Sequence, residues 1–180
     1  MFIDPTRYST APPADGRQPK EMACYALLDR LDVEYIRLDH DPADTIEVCH
    51  AVDRLLGALI CKNLFLCNAQ KNAFYLLMMP GDKAFRTKDL SRQIGSARLS
   101  FAPPEHMLRC LNITPGSVSV LGLMNDQAHE VRLLIDREVA EAEYVGCHPC
   151  VNTSSLRLHV ADLLDRILPT LGYTPTFVTL

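Results

Sequence analysis

The chain has 180 residues, 48% of them hydrophobic, and a net charge of −4. That length can bury one sizeable core, so a single globular domain is the simplest organisation. The acidic balance disfavours a protein that coats nucleic acid. No run approaches the roughly 20 apolar residues of a membrane span, and the N-terminus lacks the apolar centre of a signal peptide, which together predict a cytoplasmic protein.

Residues 1–19 are rich in Pro, Ser, Thr and Ala without periodicity and read as a flexible tail ahead of one domain over 20–180. From Lys20, the residues Ala23, Ala26, Leu27 and Leu31 recur at helical spacing, and VEYIRLD then alternates as a strand does. Thr45 can cap a helix with Ile46, Cys49, Asp53 and Leu56 on one face and Gly57 as its stop. Two apolar runs, LICKNLFLC and AFYLLMM, flank the polar NAQKN and predict a β-hairpin. TKDLSRQIG predicts a short helix capped by Thr87 and ended by Gly95, RLSF a strand, and PPEHMLRCLN a helix opened by Pro103 or Pro104. SVSVLGL and VRLLID read as strands, GCHPCVN as part of a loop, SSLRLHV as a strand, 160–171 as a helix and TFVTL as a last strand. Strands and helices mix without strict alternation. The predicted fold class is therefore α/β in the α+β sense: a mixed, largely antiparallel sheet or open barrel with flanking helices.

Most chemical motifs fail on inspection. Cys147-His148-Pro149-Cys150 has the spacing of a redox pair, but VNTSS is a poor helix start and cannot lower the first thiol's pKa as a helix N-terminus does. No second Cys or His pair completes a zinc site, so no metal or other cofactor is expected. The seven cysteines lie mostly in apolar stretches and read as buried, reduced thiols. Nucleophile elbows and glycine-rich phosphate loops are absent, and Asp39 with Asp41 belongs to a turn. Two features remain. From Lys83 to Arg109 six cations face two acids, a stretch that can meet phosphates or simply line a solvated helix. At the head of CKNLFLC, Lys62 either snorkels past the sheet edge or projects its charge into a cleft. Asn63 points to the opposite face of a regular strand, so the two serve one pocket only if the strand begins irregularly.

KNLFL at 62–66, RLSFAPPEHMLRCLNITPGSVSVLGLMND at 98–126, VRLLID at 131–136 and HPCVNTSSL at 148–156 together resemble, in order, the YbaK-like family of prolyl-tRNA editing proteins. The resemblance implies that family's editing-domain fold and a hydrolase acting in trans on mischarged tRNA(Pro), most simply alanyl-tRNA(Pro). Cysteinyl-tRNA(Pro), another small mischarged residue, or tRNA binding without hydrolysis are the alternatives. It implies Lys62, Asn63 and His148 as catalytic residues and Gly122, Gly146 and Pro149 as substrate-binding ones. Lys62 would anchor a phosphate or hydroxyl of the terminal nucleotide, and His148 would serve as a pocket wall or a base. Arg86, Lys88, Arg92 and Arg98 become candidates for the tRNA backbone, and the implied partners are mischarged tRNA(Pro) and prolyl-tRNA synthetase. Cys147 and Cys150 depart from the aromatic and leucine of the family pattern, and Glu21 to Asp53 holds nine acids against two arginines. Both departures bear on amino-acid specificity more than on reaction class.

Overall fold

The computed structural model describes residues 2–42, 51–52 and 54–180. Its centre is a hairpin of β2 (Leu59–Asn68) and β3 (Phe74–Pro80), whose register runs unbroken from Cys61 opposite Pro80 to Cys67 opposite Phe74. Every β3 residue is buried, as expected of a strand covered on both faces. Around the hairpin the sheet has eight strands in the order β1-β7-β6-β2-β3-β5-β8, with β4 paired to β2 as well. The remaining strands are β1 (Tyr35–Asp39), β4 (Leu99–Phe101), β5 (Val131–Asp136), β6 (Tyr144–Cys147), β7 (Ser154–His159) and β8 (Thr176–Val178). Four pairings are antiparallel and three, β2–β6, β3–β5 and β5–β8, are parallel. The sheet is mixed and open rather than a closed barrel, with β1 and β8 at its ends.

Side-chain alternation along β2 sorts two cores. Phe65 and Cys67 face the larger one, covered by α1 (Pro19–Arg30), α3 (Pro104–Leu111) and α5, a helix of three consecutive segments, Val160–Asp162, Leu163–Ile167 and Leu168–Thr170. The middle segment of α5 has π geometry. Leu64 and Leu66 face a smaller core with Tyr75, Leu77, Met79, Leu99 and Leu90 of α2 (Thr87–Gln93). A short helix, α4 (Arg137–Glu141), follows β5 and opens on Asp136, whose carboxylate accepts from Glu138 N at 3.0 Å.

Two local expectations are corrected. SVSVLGL contains a 3-10 helix, Val120–Asn125, rather than a strand, because the Ser119 hydroxyl accepts from Leu121 N at 3.2 Å and turns the backbone. Thr87 is the first helical residue of α2 and not its cap; that place falls to Arg86, whose side chain caps nothing. For the helix expected from Thr45, the positions Thr45, Ile46, Cys49 and Asp53 lie outside the described residues, whereas 51–52 and 54–56 are helical and Gly57 follows at φ 66°.

The N-terminal segment runs beside β1 through two bridges, Ile3 with His40 and Tyr8 with Arg37. An ion cluster underlies it. Arg17 meets Asp39 at 2.6 Å and Glu21 at 2.8 Å, Arg37 also holds Asp39, and the Arg37 guanidinium lies 4.4 Å above the Tyr8 ring. Part of the acidic excess of this region is thus neutralised internally.

Candidate active site at a split in the sheet

Strand β2 has two partners on one edge. β3 occupies the other edge along 61–67, so β4, which pairs with Leu66, Cys67 and Asn68, must share its edge with β6, which pairs with Leu59 and Ile60. Between these two, residues 61–64 of β2 are spanned by neither strand, since the Phe65 carbonyl already accepts from Ala102 N, just past β4, at 2.9 Å. Lys62 and Asn63 lie in this split. Parallel pairing also places Ile60 beside Gly146, so the chain leaving β6 carries Cys147, His148 and Pro149 along the same opening.

The unbroken β2 register puts Lys62 and Asn63 on opposite faces, so they do not share a cavity on one side of the strand. Lys62 is half-buried, and its ammonium donates to the carbonyl of Lys83. Among the described residues that is its one hydrogen bond, which leaves two of its three donors for a ligand. Asn63 points to the larger core's side, and its Oδ1 is buried without a hydrogen-bond partner among the described residues. A buried acceptor left in this way costs about 1–3 kcal/mol and invites a donor from a ligand.

His148 is fixed. Its Nδ1 lies 2.9 Å from the Ser154 carbonyl and therefore donates the proton there, which makes Nε2 the acceptor of the neutral ring. Burial pulls its pKa below the ordinary histidine value, helped by nearby His40. His40 is tied to the same strand: its Nδ1 donates to the Asp41 carbonyl at 2.8 Å, and its Nε2 accepts from Ser155 Oγ at 2.9 Å. Ser155 Oγ in turn sits 3.4 Å from His148 Nδ1, and the two rings are 6.3 Å apart. Burial also lowers the His40 pKa, so both imidazoles are held neutral near pH 7. Nothing in the order of residues singles out His40 or Ser155, because their link to His148 depends on β7 bringing them together.

The other expected residues divide. Pro149 is buried behind His148, and Gly146 is half-buried at the end of β6. Gly122 faces no open space: a Cβ there would lie 2.4 Å from Ile113 Cδ1 and 3.3 Å from the Leu111 carbonyl. It lets the 3-10 helix close on α3. Of the six cations from Lys83 to Arg109, Lys83 is bound by Asp136 and Glu138, and Arg109 by Glu130. Arg86, Lys88, Arg92 and Arg98 are exposed and form no ion pair among the described residues.

The cysteine pair is chemically quiet. Cys147 and Cys150 are both buried, and desolvation drives the Cys147 thiol far above its usual pKa, the reverse of an attacking thiolate. Cys150 Sγ contacts Cys24 Sγ of α1 at 3.5 Å. Among the described residues, no three His, Cys, Asp or Glu side chains converge as a metal site, and no helix is long and apolar enough to cross a membrane.

An open mixed sheet with a lysine and an asparagine at a split strand edge, and a half-buried histidine on the chain that leaves the neighbouring strand, defines a small α/β domain. The chain belongs to the aminoacyl-tRNA editing domain family, whose model matches residues 40–166. It is 34% identical over 154 residues to the prolyl-tRNA editing protein ProX of Acetoanaerobium sticklandii, covering 86% of this chain and 93% of that one. It is 29% identical over 169 residues to prolyl-tRNA synthetase associated domain-containing protein 1 of Danio rerio, covering 93% and 89%. Among solved structures, one provisionally assigned as a trans-editing enzyme for prolyl tRNA synthetase superposes with a TM-score of 0.66 at 15% identity. It covers 92% of this chain and 99% of that chain, a likeness of fold.

Proposed function

We propose that the protein is a trans-acting deacylase that hydrolyses the ester of mischarged tRNA(Pro), with alanyl-tRNA(Pro) as its main substrate. The observation that carries this reading is the split beside β2. An extended acceptor end crossing the open edge can touch both faces of the strand, reaching Lys62 on one side and Asn63 on the other. The faces that separate the two residues therefore need not separate their work.

An aminoacyl ester is already activated. The protein has to hold the terminal nucleotide, place a water and stabilise the charge that develops on the carbonyl oxygen. The free donors of Lys62 suit a phosphate or hydroxyl of the terminal nucleotide. The orphaned Oδ1 of Asn63 suits an N–H or O–H donor such as the substrate's ammonium or ribose hydroxyl. His148 acts as a rigid wall whose Nε2 can accept from the water. Because burial disfavours its imidazolium, it orients that water rather than taking a full proton from it. Rejection of prolyl-tRNA is then steric: a wall fixed by the Ser154 carbonyl cannot yield to the larger ring, and clash discriminates more sharply than a missing methylene. On this reading the protein meets tRNA(Pro) in the cytoplasm after its release from prolyl-tRNA synthetase.

Deacylation of alanyl-, cysteinyl- and prolyl-tRNA(Pro) by wild type and Lys62→Ala is the test. Alanine release that is lost in the variant, with prolyl-tRNA spared, is expected. Faster release of cysteine than of alanine would transfer the main substrate to cysteinyl-tRNA(Pro), and no release from any of the three would overturn the reading.

A further inference from the structure

The face of β2 that carries Lys62 opens into a cleft of about 590 Å³ lined by Lys62, Leu64, Phe85, Arg86, Lys88 and Phe101. Its composition is unusual for a surface. Phe101 is 63% exposed, and its ring stands 6.4 Å from that of Phe85 in an edge-on arrangement. Three cations surround the two rings, and none is paired with an acid among the described residues. A lone exposed aromatic is ordinary, but an aromatic pair ringed by unpaired cations offers a flat apolar face for a base and positive charge for its phosphates.

Phe101 is also offset along β2 from Lys62. It pairs in register with Leu66, four residues along β2 from Lys62, which at roughly 3.3 Å per residue is about 13 Å. Stacked nucleotides are spaced about 3.4 Å apart. An offset of that size fits a base upstream of the nucleotide that Lys62 holds.

We infer that Phe101, with Phe85 behind it, is a stacking platform for an unpaired base upstream of the esterified nucleotide, and that Arg86 and Lys88 hold the intervening phosphates. This assignment rests on the deacylase reading for its RNA ligand. The platform selects a single-stranded 3′ end, since a base stacked within a duplex has both faces covered, and it does so with little preference for base identity. It gives Phe101 a positioning role that neither charge nor catalysis requires.

The test has two arms, using wild type, Phe101→Ala and Phe101→Tyr. The first follows the fluorescence of a short single-stranded RNA ending in CCA, with 2-aminopurine in place of a base upstream of the terminal nucleotide. A blunt duplex of the same sequence is the control. The second measures KM and kcat for deacylation. We expect Phe101→Ala to weaken binding of the single strand by about 10- to 100-fold. The same variant should raise KM while kcat stays within about twofold, and Phe101→Tyr should restore both. Unchanged binding by Phe101→Ala, or equal affinity for the duplex, overturns the platform even where the wild type deacylates. If the wild type releases no amino acid but Phe101→Ala still loses the single strand, the platform holds and the deacylase reading falls.

Discussion

Two groups of cations in this molecule have opposite fates. Arg17 and Arg37 are drawn into the cluster with Glu21 and Asp39 beside β1, and the Arg37 side chain is only 4% exposed. Lys62, Arg86 and Lys88 line a cleft and have no acidic partner among the described residues. The first group fastens the N-terminal segment to the sheet, and its charges are consumed in doing so. In the second, Lys62 is held by a backbone carbonyl and Arg86 and Lys88 are exposed, which leaves their charge for something that arrives from outside. Charge count along the chain cannot separate these roles; partners can. Lys83 lies in the basic stretch yet belongs with the first group, because Asp136 and Glu138 take it up.

The comparison can be broken at several points. The largest effect is expected at Lys62: Lys62→Ala should lower kcat/KM for deacylation by about 10²–10³-fold, as loss of one preorganised donor does, while the denaturation midpoint stays near the wild-type value. A large loss of stability with intact turnover would move Lys62 into the structural group. Next is Asp39→Ala, which strands the nearly buried Arg37 and should cost about 2–4 kcal/mol in denaturant unfolding, with deacylation of the remaining folded protein unchanged.

Asp39 also carries a pH signature. Burial raises its pKa, but the hydrogen bonds from Arg17 and Arg37 outweigh that and leave it lowered. Its contribution is therefore complete above the unfolded value near about 3.9 and lost as pH falls through the lower folded value. A wild-type acid limb that Asp39→Ala lacks would identify it.

Charge reversal in the second group, Arg86→Glu with Lys88→Glu, should weaken tRNA binding at low salt. It should also make the slope of log K against log salt shallower by about 1 for each phosphate that is no longer neutralised. Unfolding should not change, and an unaltered salt slope would remove these residues from the interface. The smallest effect concerns the histidines. His40 and His148 are held neutral by burial, with folded pKa values below the unfolded one near about 6.5. Their contribution is complete above that value and lost as pH falls from there through the folded values. His40→Asn should flatten the decline in stability between pH 7 and 5, as followed by urea midpoints.

Much of this arrangement was legible in the residues. The hairpin, α3 with Pro104 in its first turn, β5 and β7 follow from apolar periodicity and punctuation, and their interiors match the pattern. SVSVLGL misled because alternating β-branched residues promise a strand, whereas Ser119 capping and the tight approach at Gly122 select a 3-10 turn. At the site, Lys62 stood out as a cation in an apolar strand, and the basic stretch named Arg86 and Lys88. Phe101 carried no comparable signal: in RLSF it alternates like any strand residue, and only the pairing with Leu66 shows it beside Lys62's cleft. His40, remote in sequence from His148, became visible only through Ser155.

The split beside β2 has a mechanical consequence. Among the described residues, strand pairing joins the half-sheet of β1, β7 and β6 to the half built from β3, β5 and β8 through two positions, Leu59 with Val145 and Ile60 with Gly146. β2 is thus a seam about which the halves can twist, with the larger core as the elastic element that opposes it. A ligand that bridges the opening would act as a clasp, stiffening two plates that the backbone joins at one short stitch.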